Sequence, residues 1–160
     1  VKLNVPVAFV DWCDAEAYCT DQNKRLCGAI NDGAAVPYGS YNNATVSEWF
    51  NACTDRGNRT FPYGSSYDPA ACTGATTEPA SVGVMTGCRG AYPVFDMSGN
   101  VAEWVNTCAA EVGPDDLCRI RGGGFNNYDN DLACGADSTR ARDDPSIAIG
   151  FRCCADPIPS

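Results

Sequence analysis

The chain has no histidine and no Cys-x-x-Cys pair, and its formal charge is strongly one-sided. Without histidine, Ser/His/Asp and Cys/His nucleophilic systems and His-ligated zinc are all excluded. Zinc held by cysteine alone is disfavoured by the spacings, since Cys153 and Cys154 are adjacent and no paired-cysteine knuckle occurs. No apolar run approaches the roughly 18 residues needed to span a bilayer, and no charged, apolar, small-residue leader opens the chain. Basic residues are outnumbered, 11 against 20 acidic, for a net charge of -9. Phosphate backbones and anionic lipid are repelled by that balance, so no nucleic acid and no membrane insertion is expected. Internal repeats and low-complexity stretches are also absent.

What is abundant is cysteine, with eleven in 160 residues. That density is hazardous in a reducing cytosol and natural in an exported, oxidising setting, so the expected location is extracellular or at the cell surface. The length fits a single domain over residues 1–160. The chain begins at Val1 without Met, and a processed chain or a fragment is expected.

Val7 to Asp11 reads as a short strand. Ala15, Tyr18 and Cys19 then recur at helical spacing, giving a first helix to about Asn23. Thr45-Val-Ser-Glu48 has the form of a capping box, and Val46, Trp49, Phe50 and Cys53 fall on one face of a second helix. After Cys53 the chain is dominated by Gly, Pro, Asn, Asp and Ser, which predicts irregular loops and short strands, the last near Ile149 to Cys153. The fold class is therefore α+β, with two helices, short strands, many irregular loops and a disulfide-rich frame.

Three segments of the second half carry the most information: Phe95-Asp-Met-Ser-Gly-Asn-Val-Ala-Glu-Trp104, Arg121-Gly-Gly-Gly-Phe125 and Gly150-Phe-Arg-Cys-Cys154. In this order they resemble the signature of the formylglycine-generating enzymes, or sulfatase-modifying factors, whose fold is a C-type lectin-like variant. Val10 to Cys19, Thr45 to Cys53 and Phe61-Pro-Tyr-Gly64 extend the resemblance to roughly residues 5 to 156, with the loop from Gly28 to Ala44 standing as an insertion. The resemblance implies disulfides Cys19 to Cys153 and Cys53 to Cys134. Each would close a loop on the order of 100 residues, worth up to about 4 to 5 kcal/mol in the chain-entropy model. Cys108 with Cys118 across an acidic turn, and Cys72 with Cys88, are candidate local bridges. Cys13, Cys27 and Cys154 remain, from which one internal pair can form and one cysteine is left over.

The resemblance also implies a calcium site at Asp96, Gly99, Val101 and Glu103, two side-chain oxygens and two main-chain carbonyls. The chemistry agrees, because Ca2+ takes hard oxygen ligands and a glycine bend lets carbonyls converge. Asn100 is expected to bond the turn, Trp104 to pack beneath it and Arg152 to lie against acidic or carbonyl groups. A second calcium site of the family lacks its carboxylate at Val82-Gly-Val84. The arginines at 121, 140, 142 and 152 read as partners for the many carboxylates.

In the enzymes two redox-active cysteines follow the glycine turn, and by resemblance they would fall near Asn127 and Leu132. Here that loop reads Asn126-Asn-Tyr-Asp-Asn-Asp-Leu-Ala133, without cysteine. A thiolate pair is what binds soft Cu(I), so the copper oxidase is the weaker alternative, as is another enzyme reusing the cleft through Asp129 and Asp131. The absence of histidine also removes the three-histidine iron site seen in the sulfoxide-synthase relatives of this family. The favoured reading is a non-catalytic binding or surface-assembly module. Asn126, Asn127, Tyr128, Asp129, Asn130 and Asp131 would contact a protein ligand in preference to a glycan, with self-assembly as a variant. Asn43-Ala-Thr45 and Asn58-Arg-Thr60 fit the N-glycosylation pattern.

Overall fold

The structure, a computed structural model, describes residues 4–156. Its centre is a four-stranded sheet in the order β4-β3-β2-β5, formed by β2 (Ala102–Cys108), β3 (Leu117–Arg121), β4 (Thr139–Ala141) and β5 (Ile149–Phe151). β2 pairs antiparallel with β3 and parallel with β5, placing Trp104 between Ile120 and Phe151. A register shift between Trp104 and Cys108 bends β2. A separate ribbon pairs β1 (Arg25–Leu26) with β6 (Cys153–Cys154).

Both faces of β2 are covered, and the two-residue period of a strand sorts its side chains between them. Ala102 and Trp104 join the core under α1 (Trp12–Asp21), with Trp12, Ala15, Cys19, Leu26 and Ile149. Val105 faces the other way, into a second core with Trp49, Cys53, Met97 and Cys134 under α2 (Glu48–Cys53). Among the described residues no helix is long and apolar enough to cross a membrane.

The local signals for α1 hold where chemistry fixes them. Asp11 caps the helix, its carboxylate accepting from the Asp14 N–H at 2.7 Å. The helix stops at Asp21, short of Asn23, because Asn23 turns left-handed at φ +53° and the Lys24 N–H returns to the Cys19 carbonyl. The strand expected at Val7 to Asp11 does not form. Ala8 makes one bridge to Gly150, and Phe9 at φ +61° leaves extended geometry to send its N–H toward Ser146 and Ile149.

The cap of α2 also differs from the capping box. Ser47, not Thr45, accepts from Phe50 N–H, while the Thr45 hydroxyl donates to Asn43. Glu48 is drawn away by a distant partner: Arg25 donates to both its oxygens at 2.6 and 2.7 Å, and the Gly28 N–H adds a third bond. The Arg25 guanidinium is held well above its ordinary pKa by this fork, against the cost of burial.

Five disulfides tie these parts together: Cys19–Cys153, Cys27–Cys154, Cys53–Cys134, Cys72–Cys88 and Cys108–Cys118. The register of the ribbon, Leu26 opposite Cys153 and Arg25 opposite Cys154, brings Cys27 to Cys154 and decides the pair left open by spacing. Cys13 is the free thiol and is exposed on α1. Five bridges in a chain of this size belong to an oxidising compartment.

Candidate functional site

The loop Asn126–Asp131 is irregular at its tip and pinned at its base. The Phe125 carbonyl accepts from Thr76 N–H and the Asn127 carbonyl from Ala75 N–H, fastening its first half to a neighbouring segment. Beyond it a 3-10 turn, Asp129–Leu132, leads into Leu132, which is buried, and Cys134, bridged to α2. Ser98, itself buried, donates to the Leu132 carbonyl at 2.7 Å. Gly122 and Gly123 adopt positive φ, and a Cβ at Gly122 would stand 2.6 Å from the Met97 carbonyl, so this turn needs glycine. It delivers Phe125 into the core.

The tip stays open. Tyr128 is 64% exposed, and Asn126, Asp129, Asn130 and Asp131 are exposed with it. Asn127 is half-buried, its side-chain oxygen accepting from Gly124 N–H at 2.9 Å. Asn127, Asn130 and Asp131 line one polar cavity of about 520 Å3, together with Asp137 and Ser138, while Asn126, Tyr128 and Asp129 lie outside its lining.

Asp137 was not legible as a site residue, because what places it is Arg119, 18 residues away on β3. Arg119 ion-pairs with Asp137 and donates to the Tyr38 carbonyl, and its guanidinium lies 3.6 Å from the Tyr41 ring centroid and 4.2 Å from that of Tyr38. Both tyrosines come from the insertion loop, which thereby braces the cavity wall. Among the described residues Arg121 beside it pairs with no carboxylate, contrary to expectation. It donates to the carbonyls of Ala136 and Cys134 and sits among Tyr41, Trp49 and Phe50, and burial lowers its pKa to about 10.

The bend from Asp96 to Glu103 buries both carboxylates. Asp96, Gly99 and Asn100 are all left-handed, at φ +58°, +74° and +63°. The Asn100 side chain bonds Asp96 within the turn, as expected, and also reaches across to both backbone groups of Ala80. Asp96 accepts from Gly83 N–H at 2.7 Å, and burial raises its pKa against that hydrogen bond and the nearby Arg152 charge. Glu103 accepts from Trp49 Nε1 at 2.7 Å and from two nitrogens of Arg152 at 2.6 and 2.5 Å. Trp104 is fully buried and donates to the Val10 carbonyl. The oxygen donors at Asp96, Gly99, Val101 and Glu103 fit a hard divalent cation in kind. Such an ion would have to share Glu103 with Arg152 or displace it. Among the described residues no group of three or more His, Cys, Asp or Glu is gathered, so a cation site here rests on two carboxylates and main-chain oxygens.

The profile of the sulfatase-modifying factor enzyme 1-like domain matches residues 2–157 of this chain. The chain belongs to the sulfatase-modifying factor family. Within that family, the formylglycine-generating enzyme of Bos taurus is 28% identical, over 97% of this chain and 45% of its own. The inactive Cα-formylglycine-generating enzyme 2 of Bos taurus is also 28% identical, over 95% of this chain and 50% of its own. The chain thus spans about half the length of these relatives. Among solved structures, Treponema denticola variable protein 1 superposes with a TM-score of 0.66 at 18% identity, over 94% of this chain and 71% of that one. PvdO from Pseudomonas aeruginosa does so at 0.62 and 21%, over 92% and 60%. The fold is that of the formylglycine-generating enzymes, an α+β C-type lectin-like frame. The family includes catalysts and members named as inactive, so membership alone leaves the chemistry open.

Proposed function

We propose that this chain is a non-catalytic, exported binding module of the sulfatase-modifying factor family, contacting its ligand through Asn126–Asp131 and the polar cavity behind it. One observation carries the reading. Near where the resemblance would put the copper thiolates, the Asn127 amide oxygen accepts from a backbone N–H and Leu132 lies in the core. Ten of the eleven cysteines are in bridges, and the remaining one, Cys13, sits on an exposed face of α1. Two thiolates able to grip Cu(I) and activate oxygen are therefore missing from the loop that should present them.

The same loop has the makings of a contact surface. An exposed tyrosine supplies rigid contact area, while asparagines and aspartates supply adaptable hydrogen bonds. Its ends are held by a disulfide and by backbone bonds, so little ordering is lost on binding. Breadth of polar contact around one aromatic favours a protein ligand over a glycan. Cell-surface location and self-assembly belong to the same proposal, and calcium at the Asp96 bend is its structural cofactor.

The test is a display library of folded domains and peptides, run beside a glycan array, against the parent chain and the variants Tyr128→Ala and Asn127→Ala. Saturable binding lost in both variants, with melting unchanged, supports the module. Ligands indifferent to both variants would remove this face from the account.

A further inference from the structure

Asp137 borders the polar cavity as an exposed carboxylate that is nevertheless held in place. Its side chain is 66% open to solvent, whereas that of its partner Arg119 is only 7% open. The guanidinium of Arg119 is placed by the rings of Tyr38 and Tyr41, by the Tyr38 carbonyl and by Asp137, and its Nε makes no hydrogen bond among the described residues. A guanidinium taken out of water strongly favours keeping the carboxylate it has. Asp137 therefore lacks the freedom of an ordinary surface aspartate.

The insertion loop that supplies both rings is itself anchored. Val36 is buried and its N–H bonds the Asn106 carbonyl on β2 at 2.8 Å, and a 3-10 turn over Tyr38–Ser40 follows at once. Contacts thus run from β2 through the insertion loop to Arg119 and on to Asp137, on a part of the cavity wall that Asn127, Asn130 and Asp131 do not supply. A carboxylate in an ion pair keeps lone pairs that can accept further bonds. The positive charge of Arg119 beside it opposes a second cation there. The group that suits Asp137 is a neutral N–H or O–H donor, and an acceptor fixed in advance costs little ordering on binding.

We infer that Asp137 is a ligand contact of the polar cavity, accepting a hydrogen bond from a backbone amide, carboxamide or hydroxyl of the protein ligand, and that Arg119 is the residue that positions it. The insertion loop then helps to set specificity, through Tyr38 and Tyr41, without touching the ligand at those rings. The inference rests on the reading of Asn126–Asp131 and the cavity as a binding face, and adds to that face a contact from outside the loop.

The experiment titrates peptides and folded domains selected by display on the parent chain against single and double variants, with melting measured for each. Asp137→Ala should weaken the selected binders by about tenfold, the loss expected for a hydrogen bond to a charged group. Because that change leaves Arg119 without its carboxylate and can perturb folding, Tyr38→Ala is the second variant: it should weaken the same binders, whereas Tyr38→Phe keeps the ring and should bind like the parent. In the Asp137→Ala background Tyr38→Ala should cause no further loss, a coupling that a purely structural role would not produce. The ratio of parent to Asp137→Ala affinities should hold as salt is raised, and a ratio that collapses would make the group on Asp137 a cation and overturn the assignment. Equal losses from Tyr38→Ala in both backgrounds would overturn the positioning role. Binders lost in Tyr128→Ala but indifferent to Asp137→Ala would overturn the inference and leave the loop reading standing. Binders weakened by Asp137→Ala but indifferent to Tyr128→Ala and Asn127→Ala would support Asp137 and remove the loop, and no saturable binder at all would sink both.

Discussion

Arg152 grips Glu103 with two nitrogens, Nε at 2.6 Å and a terminal nitrogen at 2.5 Å, joining the Gly-Phe-Arg-Cys ending to the centre of β2. Arg152 also donates to the Phe95 carbonyl at the start of the acidic bend, and Glu103 holds Trp49 of α2. One ion pair thus links the C-terminal strands, the bend and the second helix. Burial works against the Arg152 charge, and Glu103 nevertheless raises its pKa above the ordinary value.

Glu103→Gln keeps the shape and removes the charge that Arg152 faces. The expected loss is about 2 kcal/mol, below the usual cost of breaking a fully buried pair, because a quarter of the Arg152 side chain is open to solvent. Urea unfolding measures it, and a loss under half a kcal/mol, roughly surface-substitution size, would mean that the pair is not holding the ending to β2.

Calcium is tested more cleanly at Asp96 than at Glu103, because Glu103 serves Arg152 and Trp49 whether or not an ion is bound. Calcium at about a hundred times its dissociation constant should stabilise the parent by about 2.7 kcal/mol relative to chelator. In Asp96→Asn that increment should vanish. An increment equal in parent and variant would place the ion elsewhere, and none in the parent would remove calcium from the account.

The insertion loop should matter to stability through one ring. Tyr41→Ala removes the face on which Arg119 and Arg121 rest and should cost about 2 kcal/mol from lost cation–π contact and buried area. Tyr41→Phe keeps the ring and should stay close to the parent. Equal losses in both variants would shift the credit to the hydroxyl.

The acidic turn before β3 carries its own pH dependence. The N–H groups of Gly113 and Val112 hold the Asp116 carboxyl below its ordinary value. For a depressed carboxylate the stabilisation is complete above that ordinary value, 3.8, and disappears as pH falls through the lower folded pKa. The protection of the Val112 and Gly113 amides, taken against their intrinsic exchange rate at each pH, should fall in that acidic window. In Asp116→Asn that fall in protection should be absent, and the same fall as in the parent would contradict the assignment.

What the sequence made legible is what local pattern and family motif encode. Ala15 and Cys19 do form the buried face of α1, with Trp12 beside them, whereas Tyr18, read on the same face, is 56% exposed and packs edge-on against Phe151. The glycine turn before Phe125 is where it was read, because positive φ and close backbone approach demand glycine there. Misreadings came from partners far along the chain. Glu48 fits a capping box by spacing, but Arg25, 23 residues away, outcompetes the helix terminus for its carboxylate. Arg121 looks like a partner for acids and is instead enclosed by carbonyls and rings, which no spacing announces. The Arg119–Asp137 pair and its tyrosine brace depend on where the insertion loop folds back, so that wall of the polar cavity was invisible until the fold was known.

The most direct test of the non-catalytic reading is mass spectrometry of a cysteine-containing peptide incubated with copper-supplied protein, oxygen and a thiol reductant. An unchanged peptide and no oxygen uptake above the copper-only control are predicted, because no thiolate pair faces the loop. Conversion of the peptide cysteine to an aldehyde that requires the protein would contradict the reading.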